Sequence, residues 1–172
     1  MRRSSKRSLA TALVVAAAVV TALAVAIART GGPGYWQYLF PSRAGYRVVD
    51  GDTIKLDGGE SVRYIGIDAP ERDEPYYRDA RRYNEELLAR GEMRLAYGRA
   101  RYDHYGRTLA YVYVRAENGE VTFVNEELVR AGWATTLEVP PNVAFASAFR
   151  RAEEEARRAG RGMWAGAAGP EN

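Results

Sequence analysis

The sequence predicts a mixed α+β domain, mainly β, behind an N-terminal hydrophobic helix. Short β-rich segments around an Asp-Gly turn predict a hairpin and further strands. Three later segments have the apolar spacing or the end signals of helices. Near the N-terminus, Leu9–Ala28 is a run of 20 residues without a charge. These observations predict one globular domain with an N-terminal appendage.

The hydrophobic run has two interpretations, which share one topology. It is long enough to span a bilayer as a helix, and Ala26-Ile27-Ala28 also resembles a signal-peptide cleavage site. The basic residues before it predict a cytoplasmic N-terminus and an exported body. We favour an uncleaved anchor, because aromatic residues between Tyr35 and Phe40 suit a membrane interface. The body would then lie outside the cytoplasm on the cell membrane, or be secreted if the leader is cleaved.

The elements of the globular domain follow in chain order. The predicted strands are 46–49, the hairpin strands Thr53–Leu56 and Ser61–Ile67, then 92–97 and 108–114. The predicted helices are 79–90, capped by Asp79, a short helix at 123–131, and a last helix that follows Pro141 and runs to Ala159, with an Ala/Phe stripe from Ala144 to Ala156. The chain therefore divides into a basic segment (1–8), a hydrophobic helix (9–28), a linker (29–45), a globular domain (46–165) and a tail (166–172).

Composition excludes several classes of site. The chain has no cysteine, so disulfides, thiolate metal sites and cysteine nucleophiles are excluded. His104 is the only histidine, which excludes zinc hydrolase motifs with two histidines and leaves a Ser-His-Asp triad without support.

The basic charge belongs to the leader. Six of the 25 Lys and Arg precede residue 45, which leaves 19 against 22 Asp and Glu, a net charge of −3 for the globular part. Overall basicity is therefore no evidence for nucleic-acid binding, and any positive surface must be local.

Carboxylates gather at one end of the predicted hairpin. Asp52 precedes its first strand, whereas Asp68 and Glu71 follow its second strand, which carries Arg63. Gathered carboxylates repel one another, and a hard divalent cation, calcium or magnesium, would relieve the repulsion. Each acidic motif alone also fits a solvated turn or a strand exit ended by Pro70.

Four ordered motifs resemble the staphylococcal nuclease (thermonuclease) family. They are V-V-D-G-D-T-I-K-L, V-R-Y-I-G-I-D-A-P-E, D-x-Y-G-R-x-L-A-Y-V-Y and V-N-E-x-L-V-R-x-G-W-A, and the resemblance runs from Tyr46 to about Trp164. It implies an OB-fold domain, a five-stranded β-barrel with three helices. It also implies a calcium-dependent phosphodiesterase that acts on DNA and RNA.

The resemblance implies a role for each site residue. Asp52, Asp68 and the backbone carbonyl of Ala69 would bind Ca²⁺, which polarises the phosphorus centre. Glu71 matches the general base that takes a proton from the attacking water. Arg63 and Arg107 would each contact phosphate oxygens with two nitrogens.

Two further positions and two departures concern the substrate. His104 stands where a basic residue is usual and is an exposed loop residue or a phosphate contact, and Tyr105 is a candidate for the wall of the nucleotide pocket. The loop from Arg72 to Asp79 is shorter than in the best-known member. Glu138 and Pro140 replace its base-stacking tyrosines, which puts substrate preference in question. Structural roles are expected for Asn125, Glu126 and Arg130.

Two other functions stay open at this level. The chain could be a catalytically silent OB module that binds nucleic acid, but its acidic and arginine positions are all intact. It could be a membrane-tethered OB module that binds a protein or glycan, which leaves Asp52, Asp68, Glu71, Arg63 and Arg107 unexplained. No obligate protein partner is indicated, and a monomer is expected.

Overall fold

A computed structural model describes residues 40–41 and 45–166 of the chain. These residues lie in the second of two units, Leu39–Asn172. The predicted hydrophobic helix at 9–28 lies outside the described residues. Within the described ranges, none of the helices combines the length and apolar character that crossing a membrane requires.

The described residues are mixed α+β, mainly sheet, with three α-helices, as predicted. The strands are β1 (Phe40–Pro41), β2 (Tyr46–Val48), β3 (Thr53–Leu56), β4 (Ser61–Tyr64), β5 (Ile67–Asp68), β6 (Glu92–Tyr102), β7 (Thr108–Arg115), β8 (Val121–Phe123) and β9 (Thr135–Thr136). The helices are α1 (Tyr77–Leu88), α2 (Val124–Arg130) and α3 (Ala146–Arg158), followed by a 3₁₀ turn, Gly162–Trp164.

The main sheet has the order β1-β6-β7-β4-β3-β2, and β8 pairs with β7. All five predicted strands are present in it and adjacent to one another. Their pairings are antiparallel except for β4 with β7, which is parallel. This parallel pair joins the N-terminal hairpin to the later strands and places β4 beside the start of β7.

The second hairpin strand is shorter than predicted. It ends at Tyr64, and β5 pairs separately with β9. The chain breaks at Gly66, where φ is +82° and a Cβ would lie 2.3 Å from a ring carbon of Phe149. A residue with a side chain at this position is therefore incompatible with the position of Phe149, a packing partner that the local pattern does not reveal.

The predicted helix starts are wrong at two places. Helix α1 begins at Tyr77 after Tyr76, whose φ is 67°, so Asp79 lies in the first turn and bonds to Arg82 instead of capping. Helix α3 begins at Ala146, so Ala144 is outside the helix and exposed. Within the helix, Phe149, Ala152 and Ala156 are buried as predicted.

Strand β6 extends five residues beyond its predicted end at Tyr97. Tyr97 pairs with Ala110 and Tyr102 with Thr108, so four residues of β6 oppose Leu109 alone. Such a bulge removes the alternation of apolar and polar residues on which strand prediction depends. The bulge brings Tyr102 to the edge of the candidate site.

Candidate active site

The turn before β3 and the end of β5 meet at one rim of the sheet. The backbone N–H of Ala69 donates to Asp52 Oδ2 at 2.6 Å, and the N–H of Tyr64 donates to the Asp52 carbonyl at 2.8 Å. These bonds tie Asp52, Ala69 and Asp68 together across the hairpin. Whether the Ala69 carbonyl is a metal ligand stays a prediction.

Arg63 lies between the two aspartates. Its Nη1 is 2.9 Å from Asp52 Oδ2, and its Nη2 is 2.6 Å from Asp68 Oδ1. Nη1 also donates to the backbone carbonyls of Tyr64 and Ile67, at 3.1 and 2.8 Å. The guanidinium therefore bridges both carboxylates and is fixed by backbone groups on the same hairpin.

Asp52 is an acid in an unfavourable environment for its charge. The residue is only 5% exposed, and burial raises its pKa to about 7 against the opposing effect of Arg63. The nearby charges of Asp50 and Asp68 raise its pKa further. A buried carboxylate of this kind gains from an additional cation.

The two carboxylates fit a hard divalent cation. Both carboxylates contact one guanidinium, and carboxylate oxygens are ligands that Ca²⁺ prefers. In the part of the chain that the structure describes, no group of three His, Cys, Asp or Glu side chains could hold a metal. Further ligands would have to be backbone carbonyls, water or phosphate oxygens.

Glu71 lies at the entrance of the loop that follows β5. Its backbone N–H donates to Glu74 Oε2 at 2.9 Å, and the N–H of Glu74 donates to the Glu71 carbonyl at 2.8 Å. The carboxylate is exposed and makes no ion pair with the described residues. It is thus free to bind water, but the structure does not bring it into contact with Arg63 or Arg107.

Arg107 is positioned by Asp103, which sequence reasoning missed. Asp103 Oδ2 is 2.6 Å from Arg107 Nε, and Asp103 Oδ1 accepts the backbone N–H groups of Tyr105 and Arg107 at 2.9 and 2.8 Å. Partial burial favours a higher pKa for Asp103, but the bonds from Arg107 and Tyr105 outweigh it and lower the pKa. An aspartate four residues before an arginine, with a glycine between, is the signal that could have revealed this turn.

The parallel register of β4 and β7 brings the two arginines to one cavity. Val62 pairs with Thr108 and Arg63 with Leu109, so Arg107 arrives beside the strand that carries Arg63. Both arginines line a cavity of about 320 Å³. The Arg107 guanidinium is bound at Nε by Asp103, and its Cζ lies 5.4 Å from the ring centroid of Tyr105.

The two other residues predicted to bind substrate, His104 and Tyr105, differ in their position relative to this cavity. His104 lines it, whereas Tyr105 does not and is 74% exposed, with its ring centroid 3.7 Å from that of His104. The cavity is also lined by Leu137, Val139 and Pro140. These three residues form an aliphatic wall that offers no aromatic ring for stacking.

Of the two residues that stand in place of base-stacking tyrosines, Pro140 lines this cavity and Glu138 does not. Glu138 forms an ion pair with Arg150 on α3, and its two neighbours in sequence line the wall instead.

The three side chains with expected structural roles have them. Asn125 accepts the N–H of Val112 and donates to the carbonyl of Ile65, both at 2.8 Å. Arg130 binds Glu126 at 2.5 Å and reaches Glu155 on α3 at 3.3 Å. Together they tie α2 to the sheet and to α3.

These features place two arginines at one cavity, with two aspartates in contact with one of them. A family model described as "Staphylococcal nuclease homologue" matches residues 61–166. The chain belongs to this family, which confirms the resemblance found in the motifs.

Several relatives support the assignment. The SPbeta prophage-derived endonuclease YokF of Bacillus subtilis is 37% identical over 128 residues, 69% of this chain and 42% of the relative. Endonuclease YncB of the same organism is 35% identical over 128 residues, 69% of this chain and 59% of the relative. The thermonuclease of Staphylococcus intermedius is 36% identical over 127 residues, 69% of this chain and 73% of the relative. The chain thus spans about half the length of the two Bacillus relatives.

Proposed function

We propose that this chain is a nuclease that hydrolyses phosphodiester bonds of DNA and RNA with the help of Ca²⁺. The observation that carries the proposal is the convergence of Arg63 and Arg107 on one cavity, beside Asp52 and Asp68. The names of the relatives, endonuclease and thermonuclease, support the same activity. We also infer that the five predicted strands form the OB-type barrel that the resemblance implies.

The arginines supply charge where the reaction develops it. Arg107 is held at Nε by Asp103, and its terminal nitrogens would contact phosphate oxygens. Arg63 would contact the same phosphate from the neighbouring strand. Guanidinium donors that are held by neighbouring groups stabilise the charge of the phosphorane transition state.

The carboxylates have separate roles. Asp52, Asp68 and the Ala69 carbonyl would hold Ca²⁺, which when bound polarises the phosphate and neutralises its charge. Glu71, exposed and without an ion-pair partner in the described part of the chain, would take a proton from the attacking water.

The direct test is digestion of single- and double-stranded DNA and of RNA by the full-length chain. We expect cleavage in Ca²⁺, loss of cleavage in EDTA and poor activity in Mg²⁺, because Mg²⁺ demands stricter octahedral geometry than two carboxylates and a carbonyl provide. Equal turnover in Mg²⁺ would contradict the calcium assignment. Binding without cleavage under every condition would favour the silent nucleic-acid-binding module.

A further inference from the structure

The bulge of β6 carries an arginine and a tyrosine beyond the arginine cavity. We propose that Arg101 and Tyr102 form an additional subsite for single-stranded nucleic acid, in which Tyr102 stacks on an unpaired base and Arg101 contacts the adjoining phosphate. This inference rests on the proposed function, because it extends the path of the same substrate beyond the reacting phosphate.

The backbone of the bulge is held in a fixed position. Asn142 accepts the N–H of Ala100 and donates to the Ala100 carbonyl, both at 2.9 Å. A Cβ at Gly98 would lie 2.6 Å from both the Asn142 side chain and Ile65 Cδ1, so the strand passes close to these residues. Bulges of this kind redirect side chains at the edges of functional sites.

Tyr102 is exposed at the place where a strand leaving the cavity would pass. It lines the cavity with Arg63 and Arg107, yet it is 59% exposed. An aromatic ring in this position offers a flat surface to any base, since every base has a π-face. Stacking on Tyr102 would also provide the contact with a base that the aliphatic wall formed by Leu137 and Val139 does not offer.

Arg101 supplies the positive charge beside that ring. Its Cζ lies 3.7 Å from the ring centroid of Tyr97 and 5.9 Å from that of Tyr102, so the guanidinium extends along an aromatic surface. No carboxylate among the described residues lies within ion-pair distance of Arg101 or of the neighbouring exposed Arg99. In a globular part with net negative charge, such a local cluster is the feature that attracts a phosphate backbone.

An unpaired strand fits this surface better than a duplex. Bases inside a duplex are stacked on one another and cannot cover an external ring unless they are flipped out. The subsite therefore predicts that Tyr102 contributes to the binding of single strands and not to that of duplexes.

The test measures binding by the full-length chain in mild detergent with EDTA, so that no hydrolysis occurs. Fluorescein-labelled oligothymidylates of two and eight nucleotides, and a duplex of eight base pairs, are titrated by fluorescence anisotropy at several NaCl concentrations. We expect Tyr102→Ala to weaken binding of the eight-nucleotide strand about tenfold. The dinucleotide and the duplex should change by less than about twofold, because neither covers Tyr102 with an unpaired base.

The conservative and charge variants sharpen the test. Tyr102→Phe keeps the ring and should bind as the wild type does. Arg101→Ala should weaken binding and reduce the slope of log K against log [NaCl] by about 0.7, the value for one lost phosphate contact on a single strand. The matched control is Arg47→Ala, an exposed arginine on β2, which should alter neither the affinity nor the slope.

The outcomes separate this inference from the proposed function. Wild-type affinity in Tyr102→Ala, equal losses on single strand and duplex, or a wild type that binds eight nucleotides no better than two would each overturn the subsite. Cleavage of DNA in Ca²⁺ together with any of these results leaves the nuclease assignment intact. Loss of single-strand binding in Tyr102→Ala by a chain that never cleaves would support the subsite and reject the nuclease.

Discussion

Arg63 and Arg107 have the same side chain but different surroundings. Arg63 bonds to two aspartates and two backbone carbonyls, and its side chain is only 11% exposed. Arg107 is held through Nε by Asp103, lies over the ring of Tyr105, and its side chain is 34% exposed. Substitution of Arg63 should therefore affect both stability and catalysis, whereas substitution of Arg107 should affect catalysis alone.

Steady-state kinetics on DNA and thermal melts of the same proteins check this difference. Arg107→Lys should lower kcat by on the order of a hundredfold with a nearly unchanged Tm, because lysine keeps the charge but loses the two-nitrogen contact to the phosphorane. Arg63→Lys should lower kcat similarly and also reduce the free energy of unfolding by about 1–3 kcal/mol, because buried acceptors lose their donors. Arg47→Lys is the control, and near-wild-type kcat in a folded Arg107→Lys would reject its assigned role.

Asp52 should destabilise the folded protein when it is ionised and no divalent cation is present. Its folded pKa of about 7 lies above the unfolded value of about 3.9. The folded state therefore binds the proton more tightly, and stability is lost as pH rises from about 4 to 7. A bound cation would reverse this effect by favouring the carboxylate.

Asp52→Asn tests this balance by removing the charge and keeping an acceptor for the N–H of Ala69. Without calcium at pH 8, we expect unfolding to require about 1–3 kcal/mol more than in the wild type. The difference should shrink toward pH 5, and Ca²⁺ should no longer raise Tm. Differential scanning calorimetry across pH, with and without Ca²⁺, measures each point. A lower Tm than wild type at pH 8 would show that the bond from Arg63 outweighs the cost of burial.

At the scale of elements, the break between β4 and β5 brings residues of the site together. Gly66 turns the chain so that β5 can pair with β9, and β5 carries Asp68 back to Arg63. The turn depends on a positive φ and on close contact with the ring of Phe149. The strand break and the packing of α3 are thus one feature.

Gly66→Ala should reduce the free energy of unfolding by about 2–4 kcal/mol, because the new Cβ adds backbone strain and displaces Phe149. Urea denaturation measures the loss. Gly58→Ala is the matched control, since a Cβ there meets no atom within 4 Å and φ is not positive. Equal stability of the two variants would mean that the Phe149 contact is readily relieved.

At the scale of the whole molecule, the charge and the hydrophobic run are separated along the chain. The leader carries positive residues and the uncharged segment Leu9–Ala28, and every acidic residue follows it. This arrangement is typical of an exported body behind a basic, hydrophobic N-terminus. We propose that the leader is retained as an anchor.

Cell fractionation tests the anchor. The full-length chain should stay with membranes through alkaline carbonate washing, and added protease should digest the body from the extracytoplasmic side. The comparison is a variant with Leu13→Arg and Val19→Arg, whose charges make insertion of the segment unfavourable. A mature protein that begins at Arg29 in the medium would reject the anchor but leave export intact.

The sequence by itself determined the family, the α+β class and five of the seven strands of the main sheet, and it predicted which carboxylates and arginines form the site. These depend on local patterns, because turn residues, apolar spacing and ordered motifs are properties of neighbouring residues. Only the tertiary structure decided that Arg63 bridges Asp52 and Asp68, that Asp103 holds Arg107, and that Tyr102 extends the cavity. It also decided where β4 ends and how far β6 runs, since Phe149 and Asn142 act on these strands from distant parts of the chain. Contacts between residues far apart in sequence leave no local periodicity, so they become visible only when the chain is folded.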